Sequence, residues 1–103
     1  MNLKQVEGRH AGIANRLRLI RDYYQLSSKD FAQQADVSIK SYSQWESGDF
    51  RISIDGALSI CARYGIALDY IYLGRIDTLP LALGLSLKDA EAIATKKAPI
   101  PAE

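Results

Sequence analysis

The chain has 103 residues, 48% of them hydrophobic, with one cysteine and a formal net charge of +1. That length suits one compact domain with a short extension. It excludes an internal disulfide and a cysteine metal cluster, and the near-neutral balance gives no direct argument for a nucleic-acid partner. Residues 1–51 carry eight Lys/Arg against six Asp/Glu, and the remainder five against six. Binding to any polyanion therefore has to come from the placement of charge, not its total. With no run of about 18 apolar residues, no membrane span is expected. The opening MNLKQVEGRH lacks the apolar core of a signal peptide, and a reducing cytoplasm fits the lone cysteine.

Residues 1–10 read as a flexible lead-in. From Ala11 to Tyr24, apolar residues recur at Ile13, Leu17, Ile20 and Tyr24, the spacing of one helical face, and Arg16, Arg18 and Arg21 share this helix. A second helix is expected over Ser28 to Gln34. Ser27-Ser28-Lys29-Asp30 gives it a capping-box-like start, and Phe31 and Ala32 turn inward. After the turn Ala35-Asp36-Val37, Ser38 caps a third helix, Ile39 to Glu46, which stops before Gly48. Its periodicity puts Ile39, Lys40, Ser43 and Gln44 on one side and Tyr42 and Trp45 on the other.

Asp49 to Ile52 reads as a loop. Ser53 caps a fourth helix, Ile54 to Tyr64, closed by Gly65, with Ile54, Ala57, Leu58, Ile60, Cys61 and Tyr64 expected inward. A short fifth helix, Leu68 to Leu73, ends at Gly74. Beyond it, Leu79, Leu81, Leu83, Leu85 and Leu87 alternate as in a strand, but Pro80 and Gly84 argue against a regular one. The favoured reading is a short helical turn after Pro80, then a helix from about Leu87 to Lys96, with Pro99 and Pro101 ending it in a disordered tail.

These elements, in one register, resemble the lambda-repressor-like (Cro/Xre-type) helix-turn-helix DNA-binding domains. The similarity runs over roughly Ala11 to Gly74. It rests on Leu17, Ile20 and Arg21; Leu26-Ser27 and Phe31-Ala32; Val37-Ser38, Trp45-Glu46 and Gly48; Ser53-Ile54-Asp55 and Ile60; Tyr64-Gly65-Ile66 and Leu68-Asp69. The resemblance implies an all-α, compact five-helix DNA-binding domain over residues 11–74. Residues 75–103 are expected to form a short, helical C-terminal extension with a disordered end, a candidate for dimerisation. It implies a cytoplasmic, nucleoid-associated transcriptional regulator, such as a phage- or prophage-type repressor or autoregulator. The partner is double-stranded DNA, bound as a homodimer on half-sites about one helical turn, roughly 34 Å, apart.

In this docking mode the second helix of the pair enters the major groove and the first crosses the phosphate backbone. Base contacts are then expected from Ile39, Lys40, Ser43 and Gln44. Gln44 suits adenine, Lys40 suits guanine O6/N7, and Ile39 suits a thymine methyl. Phosphate contacts are expected from Ser27, Ser28 and Lys29 at the start of the second helix, from Ser38, and from Arg51 in the loop after the third. The resemblance also implies a structural pair between Arg21 and Glu46 across the first and third helices.

The chain departs from the family pattern in several places. Ser28 stands where Gln is frequent, Asp36 where the turn usually has Gly, and Tyr42 where a small aliphatic is usual. Ile52 replaces a common Pro, and Ala67 a common capping Ser. Together with Asp49, these predict modest affinity with a steep dependence on dimerisation.

Other residues carry plainer readings. Cys61 is expected to be a small buried residue, Trp45 a core or semi-core aromatic, and His10 neither metal ligand nor catalyst. Tyr70 and Tyr72 fit a subunit interface and packing within the domain equally well. No paired carboxylates, nucleophile–base pair, metal-ligand cluster or phosphate loop is present, so neither an enzyme nor a cofactor or metal is expected. The competing reading is an antitoxin or accessory module on the same fold, engaging a protein partner through residues 75–97.

Overall fold

Helical periodicity prevails throughout residues 10–97, which the computed structural model describes. α1 (Ala11–Tyr23), α2 (Ser28–Gln34), α3 (Ile39–Glu46), α4 (Ile54–Tyr64) and α5 (Leu68–Leu73) are followed by a 3₁₀ turn, Ile76–Thr78, and by α6 (Leu81–Lys97). Every regular element among the described residues is a helix, as the all-α expectation requires. Most of the flexible lead-in expected over residues 1–10, and the expected tail with Pro99 and Pro101, lie outside the described residues.

Local chemistry explains the boundaries. Ser27, Ser38 and Ser53 each cap a helix. Their hydroxyl oxygens accept from the N–H groups of Asp30 (3.1 Å), Ser41 (3.1 Å) and Gly56 (3.0 Å). Each such cap contributes about 1 kcal/mol. The α2–α3 turn closes as a Schellman motif: Val37 N–H donates to the Ala32 carbonyl at 2.9 Å and Asp36 N–H to Gln33 at 3.0 Å. Asp36 takes the left-handed position at φ 61°, a conformation that glycine adopts most easily. Gln25, also left-handed at φ 57°, closes α1 in the same way, with Leu26 N–H donating to Arg21 and Gln25 N–H to Asp22.

The core gathers Leu17 and Ile20 from α1, Phe31 from α2, Tyr42 and Trp45 from α3, Ile60 and Tyr64 from α4, and Tyr70 and Ile71 from α5. The Phe31 and Tyr64 rings stack at 4.3 Å. The tyrosine hydroxyls are satisfied by backbone: Tyr64 hydroxyl donates to the Phe31 carbonyl at 2.8 Å, and Tyr24 hydroxyl to the Tyr64 carbonyl at 2.7 Å. Arg16 fastens α5 to α1, its guanidinium donating to the carbonyls of Ile71 (3.0 Å) and Tyr72 (3.2 Å).

Two expectations are corrected. The C-terminal segment is one helix from Leu81, not a turn followed by a helix from Leu87. Pro80 sits at the cap, where no N–H is needed, and its carbonyl accepts from Gly84 N–H at 2.8 Å. Gly84 is buried where the 3₁₀ turn crosses; a Cβ there would lie 3.3 Å from the Ile76 carbonyl oxygen. The alternating leucines contain the i,i+4 pair Leu83 and Leu87, and the helix buries that pair while leaving Leu81 and Leu85 outside.

The inward set on α4 also differs. Gly56, Ala57, Ile60 and Tyr64 are buried, whereas Ile54 and Leu58 are exposed. Gly56 decides this, because a Cβ at that position would stand 2.2 Å from Cη2 of Trp45. The indole lies directly on the helix backbone there, and the core-facing side turns with it. Tyr70 is fully buried, and Tyr72 hydroxyl donates to the Ile52 carbonyl at 2.8 Å, so both pack within the domain.

Candidate nucleic-acid interface

α3 is two-faced, and its inward side fixes its outward one. Tyr42 is fully buried and Trp45 nearly so, which leaves Ile39, Lys40, Ser43 and Gln44 exposed together. The leucine-bearing α6 does not cover them; Ile39, the most apolar of the four, is itself 40% exposed. Ser47 hydroxyl donates to the Gln44 carbonyl at 2.8 Å and accepts from Asp49 N–H at 3.2 Å, tying the helix exit to the following loop.

The angle of α3 is set by a polar cluster around Glu46. Arg21 donates to both carboxylate oxygens, Nε to Oε2 at 2.8 Å and Nη2 to Oε1 at 3.2 Å. Ser28 hydroxyl donates to Oε1 at 3.2 Å, and Tyr42 hydroxyl to Oε2. Arg21 Nη1 also donates to the Leu26 carbonyl at 3.2 Å. One carboxylate thus joins α1, α2 and α3. The hydrogen bond and charge of Glu46 raise the Arg21 guanidinium above its ordinary value, and burial followed by the Glu46 contact drives the Tyr42 phenol well above its own. The Arg21–Glu46 pair matches the arrangement that the resemblance implied. The Ser28 and Tyr42 donors were not anticipated; a tyrosine four residues before the glutamate on one helix was the available signal.

The arginines of α1 are largely committed to structure. Arg16 holds α5, Arg21 pairs with Glu46, and Arg18 Nη2 donates to the Glu46 backbone carbonyl at 3.4 Å, at the C-terminal end of α3. Over residues 27–51, with Glu46 paired to Arg21, the exposed charges are Lys29, Lys40 and Arg51 against Asp30, Asp36 and Asp49. The two sets cancel, so the local field is nearly neutral and attraction to phosphate comes from individual side chains.

Among the residues assigned to phosphate, Ser27, Lys29, Ser38 and Arg51 are exposed. Ser27 and Ser38 use their oxygens as cap acceptors, which leaves each O–H proton available to an anion. Ser28 differs. It is half-buried with its proton committed to Glu46, so its side chain serves the cluster and only its backbone N–H belongs to the anion-attracting first turn.

A family model described as a helix-turn-helix domain matches residues 14–75. Searches of curated proteins and of solved structures gave no match. Among the described residues no helix is long and apolar enough to cross a membrane.

Proposed function

The chain belongs to the helix-turn-helix domain family, and on that premise we propose that it is a sequence-specific DNA-binding transcriptional regulator acting as a homodimer. A phage- or prophage-type repressor or an autoregulator, working in the cytoplasm on the nucleoid and without catalysis of its own, is the form we favour. The observation that supports this most is the exposed face Ile39, Lys40, Ser43 and Gln44, on a helix fixed from behind by Tyr42, Trp45 and the Arg21–Glu46 pair. A side chain reads a base edge only when its helix cannot rock, because bidentate geometry tolerates little misplacement.

In this reading Gln44 and Lys40 supply the base-edge hydrogen bonds, while Ile39 and Ser43 supply shape. Lys29, Arg51 and the two cap serines hold phosphates. The balanced local charge supports modest affinity per monomer, so occupancy depends on pairing two half-sites. Selection from random duplex DNA at low salt tests the proposal: enrichment of a motif with two related halves is expected, and no enrichment refutes it. Gln44→Ala is expected to relax preference at one base position in each half, at a cost of about 1–3 kcal/mol.

The second reading, an antitoxin or accessory protein, is favoured by one observation: large apolar side chains remain exposed on α4 and α6. A stoichiometric protein partner together with no measurable DNA affinity would support it.

A further inference from the structure

α2 and α3 are fastened to each other at two places. One is the turn, where Val37 N–H donates to the Ala32 carbonyl at 2.9 Å. The other is at the opposite ends of both helices. There Ser28, the first residue of α2, donates its hydroxyl to Oε1 of Glu46, the last residue of α3, at 3.2 Å. Between these places the Phe31 and Tyr42 rings meet at 5.3 Å with a tilt of 50°; apolar contact resists separation but has little direction. We infer that Ser28 is a positioning residue for base reading: acting through Glu46, its hydroxyl holds the Gln44 end of α3 and touches no DNA itself. This role rests on the DNA-binding reading above.

The tie is stiff at both of its ends. A single side-chain torsion carries the serine oxygen, so little rotamer freedom is lost in making the bond, and a carboxylate acceptor strengthens it. That acceptor is already fixed. Arg21 holds both oxygens of Glu46, at 2.8 and 3.2 Å, and Tyr42 hydroxyl donates to Oε2. Ser28 is half-buried, whereas Ser27 and Lys29 beside it, which hold phosphate in the proposed complex, are exposed. With its proton on Glu46, the Ser28 hydroxyl is directed into the protein and not toward a duplex.

Lever arms decide which base contact feels the tie. At about 1.5 Å per residue, the eight residues of α3 place its far end about 12 Å from the turn. Slack of about 1 Å at Glu46 displaces Gln44, the sixth residue, by about 0.75 Å, and Lys40, the second, by about 0.25 Å, in proportion to distance along the helix. A designed contact of this kind needs placement within about 0.5 Å. Losing the tie therefore spoils the Gln44 contact first and leaves that of Lys40 nearly intact. A hydroxyl that held a phosphate instead would act on every sequence alike, because phosphate contacts carry no sequence information.

Affinity of the full chain for the duplex that wild type enriches from random sequence, set against a scrambled duplex, tests this well below every variant's melting temperature. Ser28→Ala should lower the cognate-to-scrambled ratio at least about fivefold, the lower end of what one bidentate pair supplies. Helical circular dichroism and the scrambled-duplex affinity should not change. Repeat selection with this variant should relax the base position that Gln44→Ala relaxes, and do so more than at the position that Lys40→Ala relaxes. Ser28→Thr keeps a hydroxyl and should keep the ratio. Tyr24→Phe removes a hydroxyl that bonds the Tyr64 carbonyl at 2.7 Å, between the end of α1 and α4, and should keep the ratio too. Ser28→Cys, a far weaker donor, serves as the second variant if Ser28→Ala does not fold. Equal loss of affinity for both duplexes places the hydroxyl on a phosphate and overturns the inference. A ratio that Ser28→Ala leaves unchanged, that Tyr24→Phe lowers as much, or that Ser28→Thr fails to keep overturns it as well. Failure of the DNA reading looks different: wild type itself then enriches no motif, and the role of Ser28 falls with that reading.

Discussion

Replacing Glu46 with Gln keeps the shape of the side chain and removes its charge, so it isolates the work of the carboxylate. The two oxygens accept from Arg21 at 2.8 and 3.2 Å, from Ser28 at 3.2 Å, and from Tyr42. Each oxygen receives one guanidinium N–H and one hydroxyl. However the amide is turned, its NH₂ meets one guanidinium N–H, which cannot accept, and one hydroxyl, which can turn to accept. One charged hydrogen bond is lost, about 1.5–3 kcal/mol, and the other weakens as its acceptor loses its charge; the guanidinium keeps one bond to the amide oxygen and the one to the Leu26 carbonyl. Removing one partner of a fully buried pair costs about 3–5 kcal/mol. The pair here retains some access to water, with side chains 20% and 12% exposed, which lowers the expected cost to about 2–3 kcal/mol. At about 4–8 °C per kcal/mol for a domain of this size, Tm should fall by roughly 10–20 °C.

Urea unfolding measures the change, and a double-mutant cycle with Arg21→Met apportions it. The double variant should be more stable than the sum of the singles predicts, by at least about 1 kcal/mol, because each single change strands the other partner. If Glu46→Gln lies within about 0.5 kcal/mol of wild type, or if the two changes add, the cluster does not hold α3 in the way argued here.

Three further outcomes follow from the same structure. Gly56→Ala should destabilise by about 1–2 kcal/mol despite alanine's better helix propensity, because overpacking against the indole outweighs it; a thermal melt, with the emission shift of the single Trp45, would show it, and a stabilised variant would contradict it. Burial raises the phenols of Tyr24, Tyr42, Tyr64 and Tyr72. The folded chain keeps protons that the unfolded chain releases above about pH 10, so stability is full below that value and declines as pH rises beyond it. Tyr42 alone should give a slope approaching about 1.4 kcal/mol per pH unit, and a flat urea midpoint across alkaline pH would count against this. Lys29→Ala should weaken DNA binding alike for all sequences and reduce the log–log salt slope by about 0.9; a change in motif preference instead would place Lys29 at a base.

The sequence by itself determined the helices of the helix-turn-helix and their ends. Ser27, Ser38 and Ser53 cap within three residues, Gly65 and Gly74 take the left-handed exits, and the apolar spacing of α1 and α3 has a single helical solution. It also determined which side of α3 faces outward, because two large aromatics stand opposite four smaller or polar side chains. The Arg21–Glu46 pair was legible only through resemblance, since either residue alone reads as a surface charge. What the tertiary structure decided lies where local signals balance. On α4 the apolar residues run nearly all round, and the contact of Trp45 with Gly56 selects the buried side, leaving Ile54 and Leu58 outside. In the leucine run, strand and helix periodicities coincide, and packing against the 3₁₀ turn at Gly84 selects the helix. The roles of Arg16, Arg18 and Ser28 depend on carbonyls and a carboxylate at least 18 residues away in the chain. Caps and periodicity are written within a few adjacent residues, whereas the choice among equivalent faces depends on a distant partner that only the folded chain brings near.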